Sequence, residues 1–185
     1  MADDEAELVG SCLAGDPAGL RAFVERFQGM IFGLCFRMLG HREDAEDVVQ
    51  DVFLRVFRSL GQWDSARDLK PWLLTIAANR CRTLLLSRTQ KPKSSEFLDD
   101  LAGPDVGAPG SELAEELQRA LETVREEYRL CFILYHLHEL SLAEISGILG
   151  APTSTIKTWL FRVRRELADA LARRGLAPHI HHELY

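Results

Sequence analysis

The chain has 185 residues, 46% of them hydrophobic and 27% charged, with a formal net charge of −6. That length suits one domain or two small ones, and that apolar fraction lets each bury a core. The acidic start MADDEAELVG argues against a signal peptide, and no apolar run reaches the roughly 20 residues of a membrane span. A cytoplasmic protein without membrane insertion is therefore expected.

Strand signals are scarce: there are no clean alternating runs and no Asn-Gly or Asp-Gly hairpin turn, so an all-α fold is expected. Cys12, Cys35, Cys81 and Cys131 are widely separated and form no CxxC pair. They read as buried free thiols rather than a zinc or redox motif. The net negative charge argues against nucleic-acid binding, but its distribution does not. Residues 55–93 hold nine Lys/Arg against Asp64 and Asp68, and residues 153–175 hold six against Glu166 and Asp169. Two basic islands in an acidic chain point to two contacts with a polyanion. The acidic stretches limit non-specific binding or face a protein partner.

In chain order, Asp16-Pro17 reads as an N-cap followed by proline at the first helical position. A helix over 17–39 follows, with Phe23, Phe27, Met30, Ile31, Leu34 and Met38 inside, and Gly40-His41 breaks it. The next helix is the most regular. Ala45, Val48, Val49, Val52, Phe53, Val56, Phe57 and Leu60 repeat at i, i+3, i+4, i+7 until Gly61. GQWDSARD is a loop, and Leu69 to about Leu86 is helical, with Pro71 in its first turn. Residues 91–111 carry Pro, Gly, Ser and Asp without periodicity and read as a flexible linker. Helices resume near Glu112 and run to His138, with a break at Val124–Glu126. The residues thus predict two small helical domains, 1–90 and 112–175, with a tail at 176–185.

The run SLAEISGILGAPTSTIKTWLFRVRRELADAL (141–171) carries the strongest pattern. Ser141 and Glu144 have capping-box spacing. Leu142, Ile145, Ile148 and Leu149 make one apolar stripe, and Gly150 and Pro152 end that helix. Thr153 or Ser154 caps a second helix whose buried face is Ile156, Leu160, Val163, Leu167 and Leu171. Lys157, Arg162, Arg164 and Arg165 lie off this stripe, available to phosphates or base edges. That is the make-up of a helix-turn-helix. The plainer alternative is a packed helix pair with a solvated basic face.

Other constellations are less specific. Glu43, Asp47, Gln50 and Asp51 share the polar side of the second predicted helix. With no His or Cys at ligand spacing they read as a solvated face, or as a docking surface for a basic partner. Trp63, Arg67, Lys70, Trp72, Asn79, Arg80 and Arg82 interleave aromatics, cations and an amide, a mixture that suits single-stranded nucleic acid. Within it Trp72 reads as core and Trp63 stays open. His136 and His138 fall near a core helix and read as local hydrogen-bond partners. His179, His181 and His182 offer three nitrogens on the tail and read as adventitious. No metal, cofactor, phosphate loop, nucleophile motif or triad is indicated, and no enzyme.

Together, DAEDVVQDVFLRVFRSL, WLLTIAANRCRTLL and LSLAEISGILGAPTSTIKTWLFRVRREL resemble the extracytoplasmic-function branch of the bacterial sigma-70 family. They appear in the family's order and spacing, over about 20–90 and 115–172. The resemblance implies a region 2-like bundle at 1–90 and a region 4-like helix-turn-helix at 112–175. It implies docking on the β′ clamp and β flap of core RNA polymerase, with Asp47, Gln50 and Asp51 on the clamp. It implies capture of an unpaired −10 base by the loop 61–68 and following helix, pointing to Trp63, Arg67, Lys70, Asn79 and Arg80. For the −35 element it points to Ser154, Thr155, Lys157, Thr158, Phe161, Arg162 and Arg165. Promoter DNA and an anti-sigma factor are the further implied partners, and the free chain is expected to be a monomer. The sequence departs from the family's usual pattern at Thr83, Leu142-Ala143 and Tyr135. Two readings compete: a dimeric regulator binding palindromic duplex without polymerase, and a metal-binding or enzymatic bundle built on the 43–51 carboxylates and the histidines.

Overall fold

A computed structural model of the chain describes residues 2–90 and 112–175. They fall into two compact units, divided between Ser94 and Ser95. All regular structure among the described residues is helical, and no described helix is long and apolar enough to cross a membrane. The segment read as a linker, 91–111, and the histidine tail lie outside the described residues.

The first unit holds α1 (Ala2–Leu13), α2 (Pro17–Leu39), α3 (Arg42–Ser59) and α4 (Leu69–Gln90). Helix α2 packs against the other three. Its start follows the expected chemistry: Asp16 accepts hydrogen bonds from the Ala18 and Gly19 amides at 3.1 and 3.2 Å, ahead of Pro17. Its end is the left-handed Gly40, φ 76°, whose amide donates to Phe36. Phe23, Phe27, Ile31, Leu34 and Met38 are buried as expected, while Met30 is half-buried. The Phe23 ring meets Phe27 at 4.8 Å and Phe57 of α3 at 5.6 Å. From α3 come Ala45, Val48, Val52, Phe53 and Val56, and from α4 Leu69, Leu73, Leu74, Ala77, Ala78 and Cys81. Trp72, expected in the core, is only part-buried.

Helix α1 was not expected, because its larger apolar residues, Leu8, Val9, Cys12 and Leu13, span too short a run to show a helical period. Val9 and Cys12 bury against the rest of the unit. Arg26 of α2 pairs with Asp4 and, at 3.7 Å, with Glu5. The two helices come so close that a Cβ on Gly19 would lie 2.6 Å from the Ser11 Cβ.

The second unit holds α5 (Glu112–Glu122), α6 (Glu126–Phe132), α7 (Leu142–Leu149) and α8 (Thr153–Arg173). Here α8 is the helix that touches the others. Ala120, Leu121, Val124, Tyr128, Val163, Leu167, Ala170 and Leu171 form one core cluster. At the expected break, Arg129 donates to the carbonyls of Glu122 and Val124 at 2.9 and 3.1 Å, satisfying the exposed end of α5. A single π-helical turn, Ile133–Leu137, extends α6. Glu139, φ 55°, then redirects the chain. The Ser141–Glu144 capping box forms, and Gly150 takes φ 65°. The cap of α8 is not Thr153 or Ser154. Pro152 is the N-cap, extended at φ −57° and ψ 148° with no side-chain cap bond. Because Pro152 already holds the extended conformation, both hydroxyl residues fall inside the first turn.

All four cysteines are free and buried. Burial pushes the Cys131 thiol up to about 12. A hydrogen bond with Cys81, then burial, raises that of Cys35.

Two glycines of α2 separate packing from propensity. Gly19→Ala forces a Cβ into α1, where the atom it meets is itself fixed to backbone, and is expected to cost about 1–3 kcal/mol. Gly29→Ala meets nothing within 4 Å and is expected to stabilise by up to about 1 kcal/mol. Urea unfolding of the two variants checks the opposite signs.

Candidate functional site

On α3 the buried stripe leaves the opposite side to solvent. Asp47 and Gln50 are exposed, as is Leu54 at 56%. Asp51, part-buried, does not stand alone. Its carboxylate pairs with Arg55 one turn on at 3.4 Å, and with Arg80 of α4. Farther along, Asp44 pairs with Arg88. The two interhelical pairs run in opposite chain order, so α3 and α4 are antiparallel along this edge. The sequence reading placed Asp51 and Arg80 in separate sites, and the structure brings them together.

The connection between α3 and α4 is ordered locally. A 3₁₀ turn, Leu60–Gln62, leads to the extended Trp63. Asp64 then folds the loop on itself, accepting from the Ala66 amide at 3.0 Å and pairing with Arg67 at 3.4 Å. The Trp63 indole N–H is buried without an acceptor, a cost until one is supplied. Lys70 is part-buried and Asn79 exposed. The Thr83 hydroxyl donates to the Asn79 carbonyl at 2.8 Å, which leaves the Asn79 amide uncommitted by that contact.

In the second unit, α8 presents Ser154, Lys157, Thr158, Phe161, Arg162 and Arg165 to solvent, with Thr155 part-buried. Phe161 is 60% exposed, a large apolar cost on an otherwise polar face. Arg162 donates to the Tyr128 hydroxyl at 2.9 Å, which braces its stem while the side chain stays at the surface. Tyr128 in turn lies 6.0 Å from the Trp159 ring.

One cluster escaped the sequence reading. Arg164 Nε donates to His136 Nε2 at 3.2 Å and its guanidinium lies 5.6 Å from the Tyr135 ring. The His136 ring also lies 4.6 Å from that of Phe132, tilted by 38°. The cluster exists because the π-helical turn places Tyr135 and His136 beside α8, a backbone feature without a sequence period. Among the described residues no group of His, Cys, Asp and Glu is placed to hold a metal.

The order of these surfaces along the chain matches one family. The Sigma-70 region 2 description fits residues 23–91, and the Sigma-70, region 4 description fits residues 114–167. Over 174 residues the chain is 31% identical to the ECF RNA polymerase sigma factor SigW of Bacillus subtilis, covering 85% of this chain and 91% of that protein. The chain belongs to the extracytoplasmic-function sigma factors of the sigma-70 family.

Other relatives agree. The RNA polymerase sigma-H factor of Pseudomonas aeruginosa is 24% identical over 182 residues, 91% of this chain and 94% of that one. The fold is shared with the sigma factor RpoE of Bartonella quintana, solved in complex with the anti-sigma factor NepR. That match has TM-score 0.73 and 22% identity, and covers 82% of this sigma factor and 96% of that chain. CnrH, solved in complex with the cytosolic domain of CnrY, matches at TM-score 0.65 and 22% identity, covering 90% and 96%.

The histidine cluster makes a pH prediction for the second unit. Burial of the ring, and then the Arg164 charge, hold the His136 pKa below the ordinary 6.5. The folded form therefore binds its proton later than the unfolded chain does. Stability is full above about 6.5 and falls as the pH drops below it. His136→Gln, which keeps an acceptor for Arg164 but does not titrate, is expected to flatten the loss between pH 7 and 5 in thermal unfolding.

Proposed function

We propose that this sigma factor binds core RNA polymerase and directs it to promoters through two DNA contacts, one in each unit. The observation that carries the reading is the pairing of region 2 and region 4 with opposite surface chemistry: exposed Asp47 and Gln50 on α3, part-buried cations along α4, and an exposed basic face on α8. Asp47, Gln50 and Asp51 dock on the β′ clamp, where carboxylates on rigid helix suit a basic partner. The second unit meets the β flap.

Helix α8 lies in the major groove of the −35 element. Lys157, Arg162 and Arg165 neutralise phosphates or meet guanine edges, Ser154, Thr155 and Thr158 supply short polar contacts, and Phe161 covers a thymine methyl. In the first unit, Trp63, Arg67, Lys70, Asn79 and Arg80 hold the −10 strand once it is unpaired. Binding one strand better when unpaired shifts the duplex equilibrium toward the melted form, and no catalysis by this chain is needed. The chemistry is the polymerase's, and no cofactor is required.

An anti-sigma factor controls the protein in this reading, in line with the solved complex of its structural relative RpoE with the anti-sigma factor NepR. The free chain is a cytoplasmic monomer. Domain 1–90 serves core and −10 binding, and 112–175 the −35 element.

In-vitro transcription with bacterial core polymerase, on a library of random upstream sequences, tests this. Promoter-specific transcripts are expected from wild type and are expected to vanish with Asp47→Arg/Asp51→Arg. Arg162→Ala is expected to cost about 1–3 kcal/mol in −35 binding, if Arg162 reads a base, and to relax preference there. No transcripts, with a palindromic duplex still shifted by the chain alone, would instead establish the dimeric regulator.

A further inference from the structure

Three features of the described residues stand outside the surfaces assigned above or tie them together. The Cys35–Cys81 contact is sealed in the core, with raised thiol pKa at Cys35, and so is poorly placed for redox chemistry. The His136–Arg164 cluster has its consequence in stability. The interhelical ion pair between Asp51 and Arg80 reaches further.

We infer that Asp51 is a positioning residue for Arg80 as well as a polymerase contact, so that a docking cation and Arg80 compete for one carboxylate and docking frees Arg80 for −10 capture. The inference rests on the proposed function and deepens it. Its physical basis is the geometry of one edge. Asp51 holds Arg80 across the α3–α4 seam, and Asp44 holds Arg88 farther along the same seam. Both members of the first pair are about two-thirds shielded, at 30% and 31% side-chain exposure. The pair is therefore firmer than a fully exposed one, yet still open to exchange.

In the free chain this pair neutralises a cation that single-stranded DNA would otherwise use, and it draws the guanidinium toward α3. A basic partner arriving on α3 supplies a second cation for Asp51. Arg55 already shares that carboxylate at 3.4 Å, so Asp51 accommodates more than one cation. As the partner's cation takes over, Arg80 is released to the phosphates. Docking and DNA capture are then coupled through one side chain, with a coupling no larger than the pair itself. The free chain is kept from spending its basic face on non-promoter strands.

The test begins with the transcription library, which yields a promoter. The labelled non-template −10 strand of that promoter is titrated by fluorescence anisotropy with the free full-length chain. Asp51→Asn is expected to tighten binding by up to about fivefold, the fold-change equivalent to a surface ion pair. It is also expected to steepen the salt dependence by about 0.7 in log–log slope, one more phosphate contact on a single strand. Glu43→Gln removes one exposed α3 charge about two turns earlier and is expected to do neither. Arg80→Gln added to Asp51→Asn is expected to abolish the gain. Melting followed by circular dichroism confirms folding, and Asp51→Ala is read the same way if the Asn variant melts early.

No gain from Asp51→Asn, an equal gain from Glu43→Gln, or a gain that survives Arg80→Gln each overturns the inference and leaves the sigma reading standing. A library without promoter-specific transcripts takes down both.

Discussion

In each unit one long helix carries the apolar stripe that several neighbours must cover, and the positions of the exposed faces follow. In the first unit that helix is α2, with Phe23, Phe27, Ile31, Leu34, Cys35, Met38 and Leu39 buried. A stripe that broad cannot be covered by one partner, so α1, α3 and α4 all pack on it. In the second unit the burden falls on α8, covered by α5, α6 and α7. Burying a large aliphatic or aromatic side chain is worth about 1.5–3 kcal/mol, which outweighs the fractions of a kcal/mol carried by any surface ion pair here. Packing therefore decides the helix positions, and the charges decorate what packing leaves exposed.

That ordering explains why the surface chemistry is so uneven. Helix α3 spends one side on the core, and its other side is left with Asp47, Gln50 and Asp51. Helix α4 spends Leu73, Leu74, Ala77 and Cys81 on the core, Arg80 comes to the edge facing α3, and Asn79 is left exposed. Helix α8 is both the central helix of its core and the bearer of Lys157, Phe161, Arg162 and Arg165. A face built on the helix that holds a unit together is rigid, which suits the precise DNA contact proposed for it.

The two units differ in how they hold their surface cations. Arg80 is tied by a carboxylate, Arg162 by a tyrosine hydroxyl and Arg164 by a neutral histidine. A carboxylate neutralises the cation it holds. A hydroxyl or neutral imidazole orients it and leaves the charge intact for phosphate. In the proposed reading Arg162 is thus pre-set for duplex, whereas Arg80 is held back until its partner is drawn away.

Much of this was legible in the residues. The helix periods, the Asp16-Pro17 start, the Gly40 and Gly150 ends and the capping box at Ser141 are local physics: a few adjacent side chains satisfy or break a few backbone groups, and no distant partner is consulted. The helix-turn-helix and the acidic side of α3 follow from the same periodicity, and the family resemblance from their order. Other features needed the tertiary structure. Helix α1 carries its larger apolar residues over too short a run to show a stripe and is defined by its packing on Gly19. The cap of α8 moved to Pro152, and Trp72 is only part-buried. The Asp51–Arg80 and Arg164–His136 contacts join residues 29 and 28 positions apart. Periodicity assigns each side chain to a face of its own helix. It carries no information on which face of another helix lies opposite, because that depends on how both cores fill.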